Sequence, residues 1–371
     1  MKRKLLLLSF MVLSLGVMKG QTISVSTLNV DGLPQKILFI PLNDDGPGTE
    51  GTERASRYIA EKGYDIIGIQ EDFYYHDELC SSLTADYYRG EWMGFSLGSL
   101  PWFHLDGLKF DTDGLCEFWL QRHQCLDEVA VSWNDAYGVL DHANDDLCTK
   151  GFRRVEMKLE SGLQFLFYNM HMDASEQGDE ESGDDWHDKE ARWSQWRQLR
   201  DDVLSHLDGR PVVLVGDMNS YYTRDSILSL FFEPIESTGR YTVHDAWVEH
   251  VRQGDYPAIG DEQLNPTSYG YVQGEMLDKI LYINPVKGDK LSLVDYHVET
   301  DYTWEDGTHL GDHNPVTAVF RLENEEVTAI SSVGERQEMR YYDLNGREVS
   351  HPRHGLSIVR HSNGQTEKVI Q

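Results

Sequence analysis

The chain has 371 residues, 40% of them hydrophobic, and a formal charge of −30. That is room for one large domain with a sizeable core plus a small appendage. The charge repels polyanions at long range, which weakens a nucleic-acid partner unless a local basic groove exists. After the first 20 residues no stretch is long and apolar enough to span a bilayer.

The opening run, MKRKLLLLSFMVLSLGVMKG, has a basic start, an apolar stretch and a small residue near its end. It reads as a secretory signal over 1–20. Its removal takes away four Lys/Arg and no acid, moving the charge from −30 to −34. An exported chain can form disulfides, and Cys80, Cys116, Cys125 and Cys148 leave the pairing open. Their spacings fit no zinc motif.

Short apolar runs predict strands at 23–30, 66–69, 152–159, 164–169, 212–215, 279–283 and 316–322. Helical patterns cover 53–61 and 186–207. The first helix joins the buried run "GYDIIGIQE" through a glycine turn, as in an α/β unit. The runs at 152–159 and 164–169 flank "ESG", a hairpin signal. A mixed sheet with helices outside therefore fits better than a purely parallel one. The acidic run "ASEQGDEESGDDWHD" (174–188) reads as a solvated loop, with a calcium site as the other reading. After Leu322, "RLENEEVTAISS" reads as a linker. The short strands with Asn-Gly turns that follow read as a separate small β module over 323–371.

Several strands end in polar groups. "STLNVDGLP" delivers Asn29, "DIIGIQED" Glu71, "FLFYNMHMDA" His171, "VVLVGDMNS" Asp217 and Asn219, and "MLDKILYIN" Asp278. "HLGDHNPV" adds Asp312 and His313, with Pro315 at the mouth of the last large strand. Asp312 and His313 are neighbours in sequence, so in extended chain their side chains diverge. Any partner that orients His313 must come from elsewhere. Asp217 and Asn219 are two apart and would face one side of an extended segment. Each group alone has a structural explanation: a salt bridge, an interior histidine, an Asx turn. Together they form a set of acids with few cations nearby, and buried carboxylates without partners are costly. A hard divalent cation with oxygen ligands relieves that cost, which favours magnesium or calcium over zinc.

In order and wording these segments resemble the endonuclease/exonuclease/phosphatase superfamily across about residues 23–322. The resemblance implies a pancreatic-deoxyribonuclease-like four-layer α/β sandwich, two mixed β-sheets flanked by helices, over 21–322. It implies that Glu71 binds a divalent metal (magnesium, or calcium or manganese) with Asn29 and Asp312 assisting. His171 and Asn219 would hold phosphate oxygens. Asp217 would position or deprotonate the attacking water. His313, oriented by Asp278, would be the base or a phosphate contact. One departure is Met276, where the family often has a basic residue two before the aspartate.

A finer resemblance lies in "KGF" (Lys150, Gly151, Phe152), followed by a hairpin and "HMDA". It is similar to secreted bacterial sphingomyelinases and implies Lys150 as a substrate contact that offsets phosphate charge. "DTDGLCEFW" (111–119) is a second candidate wall of the site. The implied activity is phospholipase C-like hydrolysis of a sphingolipid or phospholipid headgroup by an exported protein. The alternatives are a secreted nuclease, a sugar- or inositol-phosphate phosphatase, or a non-catalytic binding protein on this fold. A headgroup cation suits an acidic surface, whereas DNA carries none. "KILFIPL" (36–42) and "EWMGFSLGSLPWF" (91–103) are candidate membrane-touching loops, or core. The aromatic hairpin that sphingomyelinases carry before the final histidine is reduced here to "DYTWEDG" (301–307) with a single Trp304. The tail resembles the sorting module of the Bacteroidetes type IX secretion route.

Overall fold

The computed structural model describes residues 21–37, 40–41, 46–93, 103–104, 109–110, 112–137, 149–175, 186–323, 340–342, 348–349, 356–360 and 366–370. The signal segment 1–20, Cys148, most of the acidic run 174–188 and most of the 91–103 stretch lie outside them. The chain divides into two compact units at Glu323/Asn324.

The large unit is built on two mixed six-stranded sheets. Edge to edge, the first runs Lys290–Val298, Val316–Glu323, Thr22–Asn29, Ile66–Gln70, Cys116–Leu120, Tyr87–Arg89. The second runs Tyr241–Asp245, Asp278–Pro285, Val212–Asp217, Gln164–His171, Gly151–Lys158, Gln124–Ser132. Each has one parallel pair at its centre: Thr22–Asn29 with Ile66–Gln70, and Gln164–His171 with Val212–Asp217. A helix supplies each crossover, as parallel neighbours require: Gly48–Lys62 in one case and Trp186–His206 in the other. Gly63 closes the first helix at φ 66°, its N–H bonded to Ile59 O, a left-handed cap that glycine adopts without steric cost. The "ESG" segment turns an antiparallel hairpin, with Phe152 opposite Met170 and Lys158 opposite Gln164.

The inner faces of the two sheets form one core. Val25, Ile66 and Phe320 meet Val213, Val215, Ile280 and Tyr282. Tyr282 and Phe320 touch edge to face across it, with ring centroids 5.1 Å apart. The sheets come closest at Gly68, where a Cβ would lie 2.6 Å from Val215 Cγ2. There a buried polar bridge spans them. Gln70 Nε2 donates to Asn169 Oδ1 at 2.6 Å, and Asn169 Nδ2 donates to Glu117 Oε1 at 2.8 Å. Burial pushes the Glu117 carboxyl up to about 8.

The small unit, taken by itself, is a four-stranded antiparallel sheet of Arg340–Tyr342, Glu348–Val349, Leu356–Arg360 and Thr366–Ile370. Cys80, Cys116 and Cys125 are free thiols. No helix among the described residues is long and apolar enough to cross a membrane.

Candidate active site

Topology gathers the polar strand ends. The four parallel central strands all finish at one end of the sandwich, carrying Asn29, Glu71, His171 and Asp217 there. Asp278 opens the strand antiparallel to Val212–Asp217 and stands opposite Asp217. His313 arrives on the loop before Val316, which pairs with Thr27. The mouth of an α/β sheet, outside the carboxyl ends of its strands, is where such folds bind ligands.

The side chains converge. Asn29 Nδ2 donates to Glu71 Oε1 at 2.8 Å and to Asp217 Oδ2 at 3.2 Å, linking acids of the two sheets. His171 Nε2 lies 3.8 Å from Glu71 Oε1 and 3.6 Å from Asp217 Oδ2. Lys150 Nζ is 3.1 Å from the same Nε2. With the ammonium donating there, the ring proton sits on the buried Nδ1, which has no partner. Burial, and then Lys150 and His313, hold the His171 pKa well below the usual range.

His313 Nδ1 donates to Asp278 Oδ2 at 2.7 Å. Its Nε2 faces Asp217 Oδ2 at 3.7 Å and Asp312 Oδ2 at 4.0 Å. Burial opposes charge on this ring, but Asp278 and Asp217 outweigh it and raise its pKa well above the usual value. Burial lifts the Asp217 carboxyl to about 6 against the pull of His313. Burial also raises Glu71, against Lys150 and Asn29.

One expectation changes. Asp217 and Asn219 do not share one extended segment: the strand ends at Asp217, and Asn219 turns back at φ 46°. Asp217 Oδ1 accepts from Asn219 N at 3.1 Å, an Asx-type turn, while Asn219 Nδ2 donates to Met172 O at 3.0 Å. Asp312 sits at the rim, with 71% of its side chain exposed. Trp92 follows the core alternative for its stretch: it stacks on His76 at 4.0 Å and donates to Asp72 O at 2.6 Å.

Sequence reasoning passed over the group behind Glu71. Glu71 has φ 58°, a left-handed conformation that costs a non-glycine residue about 1 kcal/mol or more. Its carbonyl accepts from Gly32 N at 3.1 Å and Phe73 N at 2.8 Å, and Asp72 N donates to Gly114 O at 2.9 Å. The buried Asp72 carboxylate holds His76 Nδ1 at 2.5 Å, and Arg89 closes on the other ring nitrogen. The available signal was an acid and a histidine four apart at a helix start. Arg224, which reaches the Asn219 carbonyl, left no motif to find. "DTDGLCEFW" contributes structure: Asp113 pairs with buried Arg153 at 2.9 Å.

The donors suit a hard divalent cation. Glu71 and Asp217 bring carboxylate oxygens together on either side of the Asn29 amide, and burial has pushed both acids upward. Asp217, Asp278 and His313 place ligand-type atoms within 4.8 Å of one another, and buried Asp278 Oδ1 has no partner.

No protein-family model matches the chain, and neither does any curated protein. Solved structures do. An endonuclease/exonuclease/phosphatase from Bacteroides vulgatus is 17% identical at TM-score 0.54, covering 82% of this chain and 100% of that one. Sphingomyelinase C from Streptomyces griseocarneus is 17% identical at TM-score 0.50, covering 81% and 99%. D. rerio TDP2, complexed with a single-strand DNA product, is 14% identical at TM-score 0.51, covering 81% and 98%. The large unit has the endonuclease/exonuclease/phosphatase fold.

Proposed function

We propose that the chain is an exported, divalent-metal-dependent phosphodiesterase of the sphingomyelinase type. It cleaves the phosphodiester of a sphingolipid or phospholipid headgroup. The observation that carries this reading is one cleft in which His313–Asp278 faces Asp217, beside Asn29–Glu71, with Lys150 at the histidine of the neighbouring strand.

Glu71, with Asn29 and Asp312, would hold the ion, magnesium in preference to calcium or manganese. When bound, the ion supplies Lewis-acid polarisation of a phosphoryl oxygen. The chain's own groups do the rest. Water oxygen attacks phosphorus in line, and Asp217, at about 6, takes its proton. The bond from phosphorus to the lipid oxygen breaks, and that oxygen takes a proton from His313 Nε2. Asp278 keeps His313 charged and aimed. Lys150 and Asn219 face the phosphoryl oxygens. Lys150 reaches the His171 ring and Arg224 the Asn219 carbonyl. Tyr74, three residues after Glu71, is 37% exposed and offers apolar surface there. In this reading 1–20 is the export signal, 21–322 is the catalytic domain, and 323–371 is the linker and sorting module. The protein then acts in the periplasm, at the cell surface or in the medium.

The test is a panel of sphingomyelin vesicles, ceramide phosphoethanolamine, inositol phosphates and plasmid DNA, with magnesium or with chelator. Lipid hydrolysis is expected with magnesium and none with chelator. Glu71→Gln should raise the magnesium needed for half-activation about tenfold or more. Full activity in chelator overturns the metal assignment, and preference for DNA or inositol phosphates overturns the lipid.

A further inference from the structure

Behind Glu71 the chain gathers a second set of donors, softer than the carboxylates of the cleft. Asp72, His76 and Cys116 each bring a ligand-type atom within 4.8 Å of the others, and all three side chains are buried. Cys80, one helical turn after His76 and on the same face, puts its Sγ 3.4 Å from His76 Nε2. Zinc bonds of about 2.3 Å to sulfur and about 2.0 Å to nitrogen hold two such atoms about 3.5 Å apart at a tetrahedral angle. The cysteine spacings alone form no zinc motif because the donors come from two elements, the helix His76–Cys80 and the strand Cys116–Leu120.

The His76 ring is already set for a cation. Arg89 donates to Nε2, so the ring proton sits on Nδ1 and is shared with Asp72 Oδ2 at 2.5 Å. The Nε2 lone pair therefore faces a positive group, the guanidinium. Trp92 stacks on the ring at 4.0 Å and fixes its plane. A carboxylate on one ring nitrogen and a lone pair on the other is how metal-bound histidines are held. A cavity of about 450 Å³ opens here, lined by His76, Cys80 and Arg89. It gives an ion a way in, and it gives the exposed Arg89 side chain room to step aside. Charge also balances. Both cysteines are free thiols, and burial pushes Cys80 up to about 12 and Cys116 well above its ordinary value. An entering divalent ion forms two metal–sulfur bonds while two S–H bonds break and their protons leave to water. The buried group gains no net charge, which is the costly part of placing an ion inside a protein.

We propose that His76, Cys80 and Cys116 bind one zinc-class cation, with Asp72 holding the ring toward it and the fourth position open to the cavity. The site does not depend on the phosphodiesterase reading. It lies against the turn that presents Glu71: Asp72 follows Glu71, whose backbone stands at φ 58°, and Asp72 N donates to Gly114 O at 2.9 Å. An ion here fastens that turn to the strand that begins at Cys116.

The test uses the full chain, reduced with a phosphine, freed of metal by chelator and titrated with cobalt(II). One equivalent should bring up the intense near-ultraviolet absorption of thiolate bound to cobalt, and zinc should bleach it. The donors around Glu71 include no sulfur, so excess magnesium should leave the band in place, and the result reads apart from any hydrolysis. Cys80→Ser and Cys116→Ser should each remove about half of the band. Asp72→Asn should keep the band and weaken zinc affinity about 10- to 100-fold. Cys125→Ser with Cys148→Ser, the control, should change neither. No band in folded wild type overturns the site. So does a band that survives Cys80→Ser combined with Cys116→Ser, or one that disappears in the control. A disulfide between Cys80 and Cys116 in protein isolated without reductant, with no zinc bound, also overturns it.

Discussion

His313 is oriented by an acid 35 residues upstream, not by the acid beside it. Asp278 is buried, and one of its oxygens holds His313 Nδ1 at 2.7 Å. Asp278→Asn keeps shape and removes charge. It should lower kcat by about 10²–10³-fold, in the range that a general acid or base supplies. Because Asp278 helps to raise the His313 pKa, the alkaline limb of the pH–rate profile should also move to lower pH. An unmoved limb with kcat intact would show that the pair is only structural. Side-chain direction in the sequence excluded Asp312 as that partner, and the family resemblance alone pointed to Asp278. The Asp217–Asn219 geometry was not legible, because it depends on one backbone angle. Alternation holds only while the strand lasts, and Asn219 at φ 46° ends it.

Elements were legible where both faces are buried. The runs at 164–169 and 212–215 have unbroken apolar stretches at 165–168 and 212–215, and the strands found extend to His171 and Asp217, into the site itself. Gln124–Ser132 was missed because it is an edge strand, largely exposed or half-buried, with no apolar run. Lys290–Val298 was missed because a register shift between Leu293 and Asp295 breaks its alternation. That strand ends next to a charge cluster that fastens the first helix to the sheet. Glu299 accepts from Lys62 Nζ at 2.6 Å, Tyr64 Oη at 3.0 Å and Thr317 Oγ1 at 3.1 Å, and pairs with His297 at 3.0 Å. Burial works against its charge, but His297 and Lys62 win and depress its pKa to about 2. A depressed carboxylate stabilises above its unfolded pKa, near 4.5, and that stability is lost as pH falls toward 2. The shift is worth at most about 3 kcal/mol. Thermal melts of wild type and Glu299→Gln should therefore differ by several degrees at pH 6, and the gap should narrow steadily as pH falls from 4.5 toward 2. A gap of constant size across that range would show that Glu299 acts through packing alone.

At the scale of the molecule, charge decides which phosphodiester can approach. A chain at −30 meets DNA as one polyanion meets another. A zwitterionic vesicle surface presents no such barrier. Salt separates the two cases. A DNA-binding groove loses affinity steeply as salt rises, because counterions compete with Lys and Arg for phosphate. Here the long-range term has the opposite sign. At 0.15 M the screening length is about 8 Å, so added salt weakens repulsion between surfaces more than it weakens contacts inside the cleft. With magnesium fixed, residual cleavage of plasmid DNA should rise as sodium chloride goes from 20 to about 150 mM. Hydrolysis of sphingomyelin vesicles should stay within about twofold and exceed DNA cleavage by orders of magnitude. The alternative outcome is as definite. DNA cleavage that dominates at low salt and collapses by 150 mM would mean that basic residues around this cleft outweigh the acidic surface, and the substrate would then be a nucleic acid.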